Sequence, residues 1–332
     1  MIIDTHAHFV PASVLDLLCA NRRMFPSIQI LGERNAVRMA FAGQEPTRPV
    51  SPKLSDVALR RQWLAKQQID CQVVGGWLDI FGYELPPNEG AEWCRFLNRH
   101  MHAAAEELNE LAPLACVPLQ SGKLAAEILD EALAQGFHGA MIGTQPKGMG
   151  GNLDDADLEP FWECASARHA TLFLHPMFVC GDERLSQYDL VNGVGRLTDT
   201  TIAVSRLLFS GHLTRYPGVN LVLSHGGGAL PFALGRIMRN YENHRDYAEP
   251  SAEFRRLYFD TVLFEPRALR FLCDVAGADK VMLGSDHPFP IGDDEPVKIV
   301  ENTPLSPAER QAILSTNAAR LFHVSCDCGP GA

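Results

Sequence analysis

The sequence predicts an α/β chain closed into a (β/α)8 barrel, with a small insertion after the first strand. Three observations carry that expectation. Short apolar strand-like runs alternate with helix-like segments along the chain, the pattern of parallel strands joined by helical crossovers. Eight such units in 332 residues suit a closed barrel better than an open sheet. Several of the runs also end in an imidazole or carboxylate, and a barrel gathers its C-terminal strand ends at one mouth. An open doubly wound sheet is the alternative. Its glycine fingerprint is missing, because Gly193-Val194-Gly195 has no third glycine at the right offset and follows no strand.

Taken in order, Met1-Ile2-Ile3-Asp4-Thr5-His6-Ala7-His8 is an apolar run of strand type ending in two histidines. Alternation on an extended backbone puts His6 and His8 on one face. The stretch 9–52, with five prolines, reads as a long irregular insertion, and loops of that length are usually functional. A helix is expected over Ser55–Gln68, with Ser55 as its N-cap. Strands follow at Cys71–Gly75, Leu114–Leu119, Gly139–Gly143, Ala170–His175, Val219–His225, Leu257–Asp260 and Lys280–Asp286. Helices are expected between them over 90–111, 124–135, 158–169, 198–215, 230–244 and 266–276. A last helix over Ser306–Leu321 has Ser306 as its cap and Pro307 in its first turn. Residues 1–325 thus form one barrel domain, with 326–332 a flexible tail.

Composition narrows the function. A net charge of -11 argues against nucleic-acid or anionic-membrane surfaces, while a local arginine cluster still permits a small anionic substrate. No run approaches membrane-spanning length. Nine cysteines lie scattered without disulfide or Cys-x-x-Cys spacing, and the N-terminus has no signal-peptide pattern, so a cytoplasmic location is expected. Cys180 is the only thiol near the expected mouth, and core packing is the expected role for most of the cysteines.

The strand ends carry His6, His8, His175, His225 and Asp286. Any one of these is commonly just a polar residue closing a strand, but coincidence at all five is much rarer. Three histidines and one aspartate suit one divalent cation, zinc first and manganese as the alternative, with a position left open for water. A cation there lowers the pKa of bound water towards neutrality. His225 introduces Gly226-Gly227-Gly228, glycines expected to let backbone and substrate approach closely. It reads as a proton-transfer residue, with metal ligand as the rival assignment. No Gly-x-Ser-x-Gly nucleophile is present.

These residues resemble the amidohydrolase superfamily, nearest its aminocarboxymuconate-semialdehyde decarboxylase-related branch. The resemblance lies in the N-terminal His6-Ala7-His8 strand, Phe173-Leu174-His175-Pro176, Ser224-His225-Gly226-Gly227-Gly228 and Leu283-Gly284-Ser285-Asp286-His287-Pro288-Phe289-Pro290. Phe81-Gly82-Tyr83, Ala233-Leu234-Gly235-Arg236 and Asn317-Ala318-Ala319-Arg320-Leu321-Phe322 extend it over essentially the whole chain. It implies that His6, His8, His175 and Asp286 hold the metal, usually zinc, and that His225 is the acid/base. It further implies that Arg48 grips a substrate carboxylate and that Arg236 adds a second grip across a homodimer interface. The implied activity is non-oxidative decarboxylation of a small unsaturated or aromatic acid. Hydrolysis or hydration of a lactone, amide-like bond or activated double bond is the alternative. The chain departs from the branch pattern at Met177-Phe178, at Gln187-Tyr188-Asp189-Leu190 and at His287, positions expected to face the substrate.

Overall fold

The computed structural model describes residues 1–33, 36–148, 150–177, 179 and 181–324. The expected tail 326–332, Phe178 and Cys180 lie outside the described residues. Strand β1 (Ile3–His8) is followed by helix α1 (Ala12–Ala20) and an antiparallel hairpin, β2 (Ile28–Leu31) with β3 (Arg38–Phe41). Next come α2 (Pro52–Ser55), α3 (Val57–Gln67), β4 (Cys71–Gly75), α4 (Pro87–Glu107) and β5 (Leu111–Pro113). The middle of the chain supplies α5 (Gly122–Ala134), β6 (Ala140–Gly143), α6 (Glu159–Ala167), β7 (Thr171–His175), α7 (Arg196–Ser210) and α8 (His212–Arg215). It continues through β8 (Asn220–Leu223), α9 (Leu230–Asn243), α10 (Pro250–Phe254), β9 (Tyr258–Asp260) and α11 (Pro266–Ala276). The last elements are β10 (Val281–Met282), α12 (Pro296–Asn302), α13 (Pro307–Gln311) and α14 (Asn317–Phe322).

All strands except the hairpin run parallel, in the orders β1-β4-β5 and β6-β7-β8-β9-β10. Backbone hydrogen bonds join these two sheets at both seams. Ala115 N donates to Gly139 O at 2.9 Å and Met141 N to Ala115 O at 3.0 Å, linking β5 to β6. On the other side Thr5 N donates to Leu283 O, Asp286 N to His6 O and His8 N to His287 O, each at 2.8 Å. Eight parallel strands therefore close into a ring, the (β/α)8 barrel expected of the alternation.

The elements differ from expectation where local signals compete. The stretch 9–52 is not irregular throughout: Val14, Leu15 and Leu18 bury one face of α1, and the hairpin packs Ile28, Ile30, Met39 and Phe41 into the core. Its prolines punctuate these elements instead of excluding them. Asp56, not Ser55, caps α3 by accepting from Leu59 N at 3.0 Å. The strand expected at Leu114–Leu119 is Leu111–Pro113 with one further bridge at Ala115. The helix expected over 198–215 breaks at Gly211, which has φ +67°, a conformation that glycine adopts without strain. Ser306 caps α13 in a reciprocal box with Glu309, as expected. No helix among the described residues is long and apolar enough to cross a membrane.

Beneath the mouth lies a buried polar chain. Arg60 on α3 is 2% exposed and donates to Gln72 Oε1 and to His8 O, and its guanidinium lies 5.0 Å from the Phe9 ring centroid. Gln72 Nε2 donates to Asp4 Oδ2 at 2.7 Å, and Asp4 also accepts from Ser285 N at 3.0 Å and His6 N at 3.1 Å. Burial raises the Asp4 pKa to about 6 against the pull of these donors. The network ties β1 to β4 and to the segment after β10. Replacing Arg60 by alanine leaves Gln72 Oε1 and His8 O without their donor in a buried site. Arg60→Ala is expected to lower stability by about 1–3 kcal/mol in chemical denaturation. A loss under about 1 kcal/mol would mean the network is not under tension from burial.

Candidate metal centre

The barrel brings the five strand-end residues together. Asp286 Oδ1 lies 3.2 Å from His6 Nε2, 3.1 Å from His8 Nε2 and 3.8 Å from His175 Nε2. His225 Nε2 is 3.5 Å from Asp286 Oδ2. One ligand atom each from His6, His175, His225 and Asp286 falls within 4.8 Å of all the others. His8 completes the group through its contact with Asp286, its ring 5.0 Å from that of His175.

The outer contacts decide what these nitrogens can do. His6 Nδ1 bonds Asp260 Oδ2 at 2.6 Å, His8 Nδ1 bonds Gly76 O at 3.0 Å, and His175 Nδ1 bonds Pro176 O at 3.2 Å. A carbonyl or carboxylate can only accept, so each Nδ1 carries the proton and each neutral ring turns a bare Nε2 inward. His6 Nε2 and His175 Nε2 are buried without a hydrogen-bond partner. Three lone pairs crowding one carboxylate oxygen repel unless a positive charge sits among them. Zinc bonds of about 2.0–2.1 Å place tetrahedral ligand atoms about 3.3 Å apart, close to the separations from His6 and His8. The residues fit one divalent cation.

Without such a cation, a proton must serve. Burial opposes charge on His6, but Asp286 and Asp260 outweigh it and raise the His6 pKa to about 10. Burial holds His8 below its ordinary value and His175 well below it. Burial would raise the Asp286 pKa, yet His6 and the other imidazoles hold it well below the usual carboxylate range. These shifts favour a cationic His6, neutral His8 and His175 and an anionic Asp286 at pH 7. A cation held by His6 would have to displace that proton, so affinity is expected to rise about tenfold per pH unit between pH 7 and 9. Calorimetric titrations in buffers of different ionisation enthalpy should count about one proton released per metal at pH 7. A count near zero would contradict this assignment.

Two of the five residues hold unusual backbone. His225 has φ +53° and Asp286 φ +60°, left-handed conformations for non-glycine residues. The turn at His225 continues through Gly226, Gly227 and Gly228, all at positive φ. A Cβ on Gly226 would lie 2.4 Å from Leu263 Cδ2, and one on Gly228 2.4 Å from Leu197 O. The glycines therefore serve mainly the packing of the turn against its own chain. That packing lets His225 N and Gly226 N donate to Asp260 at 3.0 and 2.9 Å. Gly284 plays a similar part, since a Cβ there would stand 2.9 Å from Asp260 Cβ and 3.0 Å from His6 Cβ.

Above the centre opens a cavity of about 520 Å³, lined by His175, His225 and Asp286, by Trp77, Val262 and Phe289, and by Arg48 and Arg196. A larger depression of about 1040 Å³ beside the hairpin holds none of the five strand-end residues, and we place the chemistry in the smaller space. Arg48 sits at its rim, 64% exposed and 3.3 Å from Asp79. Arg236 is exposed on α9 and does not line this cavity. Tyr83 is 2% exposed, and its hydroxyl accepts from Gly143 N at 3.2 Å. His287 stacks on Trp63 at 4.1 Å between centroids, and burial beside Arg60 lowers its pKa to about 3. Neither Tyr83, Met177 nor His287 lines the cavity. The expectation that Met177 and His287 face the substrate is corrected, because both turn into the barrel's packing, whereas Asp189 of the segment 187–190 does line the cavity.

The sequence model of the family described as Amidohydrolase (Amidohydro_2) matches residues 3–324. The chain belongs to this family. A relative in Dictyostelium discoideum, 2-amino-3-carboxymuconate-6-semialdehyde decarboxylase, is 29% identical over 83% of this chain and 79% of its own length. Among solved structures, 5-carboxyvanillate decarboxylase from Sphingomonas paucimobilis superposes with a TM-score of 0.80 at 23% identity, covering 98% of this chain and 99% of that one. Dihydroxybenzoic acid decarboxylase from Polaromonas sp. JS666, solved with manganese and 2-nitroresorcinol, superposes with a TM-score of 0.77 at 21% identity, covering 97% and 96%. At these identities the solved structures establish the shared fold.

Within the amidohydrolase frame two residues stand out that the sequence did not single out as functional. Asp260 ends β9 and joins His6 Nδ1 to the backbone of the His225 turn. Its position at a strand end was the available signal, shared with His175 and the segment ending in Asp286. Arg196 opens α7 and reaches the cavity, yet nothing about an arginine at a helix start distinguishes it in sequence.

Proposed function

We propose that this amidohydrolase is a metal-dependent, non-oxidative decarboxylase of a small aromatic or unsaturated carboxylic acid. The observation that carries the reading is the set of inward-facing Nε2 atoms around Asp286 at the floor of a cavity lined by both arginine and aromatic side chains. His6, His8, His175 and Asp286 would hold one divalent cation, zinc on the chemistry of the ligands, with manganese the alternative. Such a cation supplies Lewis acidity, drawing electron density from a substrate oxygen as charge builds on the carbon that loses its carboxyl group.

The chain's own groups do the rest. Arg48 at the rim orients the acid's carboxylate. Trp77, Val262 and Phe289 shield the reacting bond from water, which strengthens the charge interactions inside. The carbon–carbon bond breaks, carbon dioxide leaves, and the electron pair stays on the substrate carbon until a proton joins it. His225 is the proton carrier: its Nε2 faces the centre 3.5 Å from Asp286, and its Nδ1 has no partner to fix one tautomer. A homodimer forms part of the same reading. Phe232 on α9 is 87% exposed, and pairing of that face with a second copy would cover it and carry Arg236 towards the other copy's cavity. The described thiols Cys19, Cys94, Cys116, Cys164 and Cys273, none of them in a disulfide, support a cytoplasmic setting.

The test is a panel of hydroxybenzoic and unsaturated carboxylic acids incubated with metal-loaded protein, with carbon dioxide release followed. Release from at least one acid at enzymatic rates is the expected result. Turnover that consumes water with no loss of carbon would replace this reading with hydration or hydrolysis.

A further inference from the structure

The cavity contains a cation that neither the metal ligands nor the proton carrier accounts for. Arg196 lines the same wall as His175, His225 and Asp286. Its guanidinium is fixed on three sides: Nη1 donates to Pro176 O at 2.6 Å and to Met177 O at 3.3 Å, and Nε to Asn192 Oδ1 at 2.8 Å. None of these acceptors carries charge. Among the described residues no carboxylate approaches it within 4.0 Å, whereas Arg48 already has Asp79. A half-buried guanidinium held by neutral groups has hydrogen-bonding capacity and charge left for an anion.

We propose that Arg196 binds a second carboxylate of the substrate, one that remains on the product, so that the acid turned over is a dicarboxylate. This rests on the decarboxylase reading for the identity of the departing group. A departing carboxylate loses its charge and moves away. A rigid guanidinium clamped to it would stabilise the ground state more than the transition state and slow its loss. The solvated Arg48 can release its anion, but the pinned Arg196 is suited to one that stays. Its anchor also sets its position relative to the metal centre, because Pro176 O accepts from both Arg196 Nη1 and His175 Nδ1. The span between the two charges of the acid is therefore read against a fixed scale.

The test compares binding of two probes to manganese-loaded protein by calorimetry: isophthalate, with two carboxylates, and benzoate, with one. Arg196→Met is expected to lower the ratio of isophthalate to benzoate affinity by about 10- to 100-fold. Arg196→Lys, which keeps the charge and loses the fork, should recover part of that ratio. Thermal melts of both variants confirm folding, and the lysine variant reads the effect if the methionine variant fails to fold. An unchanged ratio, or a lysine variant no better than methionine, overturns the proposal. Carbon dioxide release is scored separately. A ratio lost as expected in a protein that decarboxylates nothing sinks the decarboxylase reading and leaves the dicarboxylate site standing.

Discussion

Asp286→Asn is expected to abolish metal uptake and turnover together while the barrel stays folded. The substitution keeps the shape of the side chain and tolerates the left-handed backbone at φ +60°. It removes the one negative charge at the meeting point of three imidazoles, where Oδ1 stands 3.1 Å from His8 Nε2 and 3.2 Å from His6 Nε2. Loss of an outer contact to a metal ligand already weakens affinity about 10- to 100-fold, so loss of a charged ligand should exceed that range. The wild-type protein should melt at a higher temperature when metal is added, because binding to the folded state alone stabilises it. The variant should lose that rise and purify without metal. A variant retaining stoichiometric metal would show that the cation is held elsewhere.

His225→Gln should separate the two roles open to this residue. As a proton carrier, its loss lowers kcat by about 10²–10⁴-fold and leaves metal content at one per chain. As a ligand, its loss removes metal as well. The geometry allows both, since His225 shares the 4.8 Å cluster with His6, His175 and Asp286. What favours the proton carrier is the orphaned Nδ1: the other three histidines each fix their tautomer through Nδ1, and His225 does not. Metal analysis of the purified variant beside its kcat decides the matter.

Much of this molecule is legible in the residues themselves, and the reason is periodicity. Buried parallel strands are short apolar runs, so β1, β6, β7 and β8 announce themselves, and a barrel then dictates that their ends converge. His6, His8, His175, His225 and Asp286 were readable because each sits at or just beyond a strand end. Asp260 shares that position, but its worth comes from His6 lying 254 residues away, and a local pattern cannot rank one strand-end carboxylate above another. Arg48 and Arg236 carry no local signal of their own and stand out only through the family resemblance. The fold puts Arg48 at the rim of the cavity and Arg236 on the outer surface of α9. Tyr83 and His287 illustrate the converse. Asp286 and Phe289 beside His287 line the mouth, yet packing against α3 turns His287 away from it, as packing against β6 does Tyr83.

The seam between β10 and β1 has a consequence for how the protein matures. His6 and His8 are made well before Asp286, which lies 278 residues beyond His8. The first strand has no neighbour on that edge until Leu283, Asp286 and His287 arrive to take up its hydrogen bonds. A nascent chain halted before that point would hold the imidazoles of His6, His8, His175 and His225 without the carboxylate they surround. A divalent ion held at this centre would therefore be captured only after Asp286 is made, and would then tie together the two strands that meet at this seam.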